Sequence, residues 1–115
     1  MMGSPGRSPG SRDIRSWSAS VADVKLSILV PVFNEAATVE TALKRILDVD
    51  YPCEFEVVVV NDGSVDRTAE LLGGITHSAL LVVDHPVNRG KGAAIRTAAD
   101  SATGDYMIIL SLIHI

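Results

Sequence analysis

Apolar runs and polar turns alternate along this chain in a regular order. Lys25 to Val32, KLSILVPV, is apolar almost throughout, as a strand buried on both faces would be. The period then changes in NEAATVETALKRILDVD. Val39, Leu43, Ile46 and Leu47 stand at i, i+4, i+7 and i+8 and form one helical stripe. Asn34 is placed to cap this helix, Glu35 to meet its positive end, and Tyr51-Pro52 to end the segment. EFEVVVV is a second buried strand, NDGS a tight turn, and VDRTAELLGG a short helix closed by glycines. ALLVVDH is a third strand. NRGKGAAIRTAADSATG holds a third helix with Ile95, Ala98, Ala99 and Ala102 on one face, small enough to pack closely on a sheet. DYMIIL opens a fourth strand. The series βαβαβαβ predicts an α/β fold, a parallel sheet with right-handed crossovers.

Composition bounds this picture. A chain of 115 residues holds one small domain at most, and 47% hydrophobic residues suffice for a core. The net charge of −4 argues against a nucleic-acid partner. Cys53 is the only cysteine, which excludes an internal disulfide and a metal–cysteine cluster; a spectator thiol is expected. Residues 1–24 are rich in Gly, Ser, Pro and Arg and read as a flexible tail. Arg7, Arg12 and Arg15 make this tail slightly basic, enough to touch anionic lipid, and Trp17 could anchor it. Two consecutive methionines leave the true start open. The tail has no signal-peptide core, and no apolar run reaches the roughly 18 residues of a spanning helix. A cytoplasmic location is expected, with a membrane-surface role left open.

Ligands of open α/β sheets bind beyond the carboxyl ends of the strands. Three polar clusters fall there: PVFNE, NDGSVD and NRGKG. Asp62 should emerge at the sheet edge, where its carboxylate can accept from a base N–H or a ribose hydroxyl. Gly63 would leave room for a planar ligand. The plainer reading of Asp62-Gly63-Ser64 is a good turn. Pro31 stiffens the first strand's exit, Phe33 offers a stacking face and Glu35 an acceptor; a simple helix cap explains the same residues. Gly90 and Gly92 flank Lys91 at a helix start, a reasonable phosphate cradle. Against that, Lys91 and Arg96 could simply form a solvated face. Neither the P-loop pattern nor G-x-G-x-x-G after the first strand is present. His77 and His85 have no acidic or histidine partner at ligand spacing and are expected to be unremarkable.

VPVFNEAATVE, VVVNDGSVDRTAE and NRGKGAAIRTAADSATGDYMII, in this order and spacing, resemble family 2 glycosyltransferases over roughly residues 25–109. The resemblance is strongest to the branch of dolichyl- or polyprenyl-phosphate mannosyl- and glucosyltransferases. It implies the Rossmann-like, nucleotide-binding half of a GT-A domain, truncated before the acceptor half. It also implies a nucleotide diphosphate sugar as donor, polyprenyl phosphate as a candidate acceptor, and Mg²⁺ or Mn²⁺ as the full-length enzyme's cofactor. By the same resemblance Pro31, Phe33 and Glu35 meet the donor nucleotide. Val60 and Asp62 line the base pocket, and Lys91 is a further contact. Asn61 stands where the family often has Asp.

The family's metal-binding D-x-D should follow G-D-Y-M-I-I at positions 111 and 113, which hold Ser111 and Ile113. The closing LSLIHI is what CTG-TCT-CTT-ATA-CAC-ATC encodes, the end of a common transposase-based sequencing adapter. Residues 110–115 are therefore expected to be a non-native tail. On this reading the fragment binds no metal, its catalytic groups lie beyond residue 109, and it is inactive as a transferase. The alternative is a non-catalytic nucleotide-binding or regulatory α/β module.

Overall fold

The computed structural model describes residues 23–112. All but the last two positions of the expected flexible tail lie outside the described residues, with Arg7, Arg12, Arg15 and Trp17, and so do residues 113–115. Seven elements follow in the expected order: β1 (Lys25–Val32), α1 (Val39–Asp48), β2 (Glu54–Asp62), α2 (Thr68–Gly73), β3 (Leu80–His85), α3 (Lys91–Ser101) and β4 (Tyr106–Ile109). The strands form one sheet in the order β3-β2-β1-β4, every pair parallel. The order steps outward from β1 to β3 and then returns to β1's other side, so the crevice of the fold opens between the ends of β1 and β4.

Alternation along the strands makes two cores. Ile28, Val30, Val32, Val57 and Val59 pack under Val39, Leu43 and Leu47 of α1 and Leu72 of α2. On the opposite face Leu29, Val58 and Val60 meet Ala94 and Ala98 of α3. Each fully buried Val or Leu contributes about 1.5–3 kcal/mol.

Two helices differ from expectation. The helical stripe of α3 runs through Ala94 and Ala98 rather than starting at Ile95. The start of α1 is at Val39, not beside Asn34. Asn34 instead takes a left-handed conformation (φ 52°), and its Oδ1 accepts from the Val65 amide at 2.8 Å. In return Asn34 N–H donates to Ser64 Oγ, Glu35 N–H to Thr68 Oγ1 and Ala36 N–H to Asp66. The loops after β1 and β2 are thus stitched to each other, and that tertiary bonding wins over a local cap.

Strand β4 is held at its entry by a polar clasp. Glu56 accepts from Ser27 Oγ and the Thr103 amide, each at 2.6 Å, with Lys25 Nζ 3.4 Å away. Burial raises the Glu56 pKa, but the bonds from Ser27 and Thr103 and the Lys25 charge outweigh it and hold the carboxyl below its usual range. Gly104 closes the clasp: a Cβ there would meet Ser27 Oγ at 2.4 Å and two backbone atoms at 2.9 Å. Gly104→Ala is expected to destabilise the chain by about 1–3 kcal/mol in urea unfolding. An unchanged midpoint would mean that the clasp yields without cost. Beyond it, Tyr106 to Leu110 are 37–64% exposed along the outer edge of the sheet. An apolar edge strand of this kind is prone to pair with other chains.

Candidate nucleotide-binding site

Strands β1, β2 and β3 end at one level, because Val32 pairs with Asn61, Asn61 with Asp84, and Asp62 with His85. The three polar clusters that follow them therefore meet. A cavity of about 370 Å³ opens there, within the usual range for a small-molecule site. Pro31, Phe33, Glu35, Asp62 and Lys91 line it, joined by Asn88, Gly90, Ala94 and the segment Ser111-Leu112. Val60 does not. It is fully buried beneath α3 with Ala94 and Ala98, one layer behind the cavity.

Phe33 is 45% exposed, so one face of its ring is available for stacking. Glu35 stands at the foot of α1, where its Oε1 accepts from Thr38 Oγ1 at 3.3 Å. Lys91 is exposed at the first position of α3 and brings a mobile positive charge to the rim.

Asp62 is different in kind from the edge carboxylate the sequence suggests. Only 3% of its surface is exposed. Its Oδ1 accepts from the Arg89 amide (2.9 Å) and lies 2.8 Å from His85 Nδ1. Its Oδ2 accepts from the Gly90 amide (2.9 Å) and from Asn88 Nδ2 (3.1 Å). Burial alone raises the pKa of this carboxyl. The hydrogen bonds from His85 and from the two amides outweigh burial and hold it below the ordinary value. The carboxylate thus fastens the β3–α3 loop across the end of β2.

Gly63 serves the same loop. Its φ is +70°, and a Cβ would lie 2.2 Å from Asn88 N and 2.3 Å from Val87 C. The room left by this glycine is filled by the loop backbone, not kept for a planar ligand. Likewise the Gly90 amide of the expected cradle turns inward to Asp62.

His85 corrects an expectation. Rather than unremarkable, it is buried against Asp62, with Nε2 2.8 Å from Thr97 Oγ1. Its partner is 23 residues away in sequence and beside it only through the strand register. Aligning the last residues of EFEVVVVND and LLVVDH would have paired them. Asn61 explains itself locally: Nδ2 donates to Asp84 at 3.0 Å while Oδ1 accepts from Ser64 N–H at 3.3 Å. An aspartate here would set two carboxylates against each other.

A stacking face, carboxylates and a cation around one cleft match the parts of a nucleotide diphosphate. Comparison with known proteins shows the family. The sequence profile described as "Glycosyl transferase family 2" matches residues 27–111. The chain belongs to this family. It is 36% identical over 86 residues to poly-beta-1,6-N-acetyl-D-glucosamine synthase of Staphylococcus epidermidis, covering 74% of this chain and 21% of that protein. Among solved structures it resembles the mannosyltransferase PcManGT from Pyrobaculum calidifontis in complex with GDP-Man and Mn²⁺, with TM-score 0.69, 35% identity, and 76% of this chain and 27% of that one covered. It also resembles S. aureus TarS in complex with UDP, with TM-score 0.69, 30% identity and the same shares covered. The chain therefore spans 21–27% of the length of these relatives. Its four-stranded sheet is the Rossmann-like part of the GT-A architecture they share.

The cavity's own acids, Glu35 and Asp62, do not make a divalent-metal site. Asp62 already accepts at both oxygens, and among the described residues no group of three His, Cys, Asp or Glu could hold an ion.

Proposed function

We propose that this chain is the donor-binding half of an inverting glycosyltransferase that uses a nucleotide diphosphate sugar. The observation that carries this reading is the meeting of Pro31, Phe33, Glu35, Asp62 and Lys91, from three separate strand ends, at one cavity. Phe33 would stack on the base, Glu35 and the rim of the Asp62 loop would accept from base and ribose, and Lys91 would face the diphosphate. In the transfer an acceptor oxygen bonds to the anomeric carbon. The bond to the nucleoside diphosphate breaks, and its electron pair leaves with the diphosphate. The complexes of the structural relatives, one with GDP-Man and one with UDP, support the donor class.

The Mg²⁺ or Mn²⁺ of the full-length enzyme would be held by residues other than the described ones, as a charge partner for the diphosphate. The 115-residue chain would then bind nucleotide without transferring sugar. For the acceptor we propose polyprenyl phosphate, on the motif resemblance; its oxygen is already anionic and needs little help from a base. The full-length enzyme would meet such an acceptor from the cytoplasm, at the membrane face. Comparing lipid-phosphate and saccharide acceptors with that enzyme decides the point. A non-catalytic nucleotide-binding module is the second reading, and metal-dependent sugar transfer by the full-length protein would exclude it.

Calorimetric titration with UDP and GDP tests the core of the proposal. Saturable binding of either is expected. No heat from either up to about millimolar concentration would contradict it.

A further inference from the structure

His85 fills no recognised role in nucleotide binding, yet it is one of few buried polar residues here and is bonded at both ring nitrogens. It is 7% exposed at the end of β3, at the same register position as Asp62. Because Nδ1 faces a carboxylate at 2.8 Å, it carries the proton. In the neutral ring Nε2 is then left to accept from the Thr97 hydroxyl, also at 2.8 Å. Thr97 is on α3, Asp62 on β2. The imidazole is a stiff spacer between them, and its planar ring leaves Asp62 little freedom to turn.

The direction of that carboxylate matters, because its two oxygens take the amides of Arg89 and Gly90. This loop contributes Asn88, Gly90 and Lys91 to the cavity. Gly63 supports it from below, with no space for even one added carbon. Gly90 has φ +99°, so it imposes little backbone preference of its own, and the loop depends on bonds from outside it.

We infer that His85 is a positioning residue for the nucleotide cavity: by orienting Asp62 it fixes the height of the 88–90 loop and of Lys91 over the site. The inference rests on the nucleotide reading of that cavity. If the ring merely filled space, any side chain of similar size would serve equally. Two substitutions separate these roles. In His85→Asn the amide nitrogen falls near the place of Nδ1 and still donates to Asp62. In His85→Gln it falls near Nε2, meets Thr97, and leaves Asp62 Oδ1 one donor short.

Both variants of the full chain would be compared with wild type by thermal unfolding, amide hydrogen exchange at Arg89 and Gly90, and titration with UDP and GDP. The expected result is a similar fall in Tm for both, because both lose the ring. Exchange protection of the two amides should stay within about threefold of wild type in His85→Asn and fall about tenfold or more in His85→Gln. Nucleotide affinity should divide the same way. Equal losses in the two variants, or unchanged amides in both, would overturn the positioning role. If the amides divide as expected but wild type binds neither UDP nor GDP, the loop control stands and the nucleotide reading falls.

Discussion

Gly63→Ala is expected to cost about 3 kcal/mol or more, the largest effect of an added methyl group at any glycine among the described residues. Two penalties coincide. A left-handed φ of +70° disfavours an L side chain by about 1–2 kcal/mol. The added Cβ would also lie 2.2 Å from Asn88 N, a backbone atom that cannot swing aside as a side-chain tip could. Relief requires the 87–90 loop to lift, which pulls the Arg89 and Gly90 amides from Asp62 and opens the cavity floor. With domains typically stable by about 5–15 kcal/mol, the variant should show a large fall in urea midpoint and lose any nucleotide affinity together. A loss below about 1 kcal/mol would show that the loop has slack the geometry does not reveal.

Asp62→Ala should be comparably damaging, through unmet bonds rather than a clash. Alanine leaves the His85 Nδ1 and the Arg89 and Gly90 amides facing a small apolar group, while Asn88 Nδ2 keeps only its bond to the backbone carbonyl of residue 62. Stranding several donors where one carboxylate served them costs about 3–5 kcal/mol. Asp62→Asn should cost less, because one oxygen remains to accept. The pH dependence follows in sign from the depressed pKa of Asp62. Its stabilisation is complete above the ordinary carboxylate value of about 4 and is lost as pH falls through the lower folded value. Urea midpoints measured downward from pH 6 should therefore drop more steeply for wild type than for Asp62→Asn. Parallel curves would show that Asp62 is not a stabilising carboxylate.

How much of this was legible depended on which interactions are local. Strand β1 was readable residue for residue, since from Ile28 to Val32 it is an unbroken apolar run of the kind a strand buried on both faces shows. The α3 stripe was not, because GAAIRTAADSA is small at most positions and its periodicity hardly favours one face over another. Asn34 and Glu35 carry a good capping signature, and Glu35 does accept from Thr38 at the foot of α1, but Asn34 bonds instead to Ser64 and Val65 of the next loop and the Glu35 amide to Thr68 at the start of α2.

In the site, the sequence located the strand ends correctly as the place where Pro31, Phe33, Glu35, Asp62 and Lys91 gather. Val60 differs for a simple reason. Residues 58, 60 and 62 share one face of β2, α3 covers the first two, and the strand outruns the helix only at Asp62. The His85 pairing needed strand register, which no local pattern supplies.

The most direct test of the account is an NMR titration of the ¹⁵N-labelled chain with UDP and with GDP. The account predicts saturable shifts concentrated at the amides of residues 32–35, 62–63 and 88–94; a second groove, lined by Lys44 and Asp48 of α1 and by Gly74 and His77 after α2, should stay unmoved. Saturable shifts in that groove instead, or no shifts with either nucleotide, would contradict it.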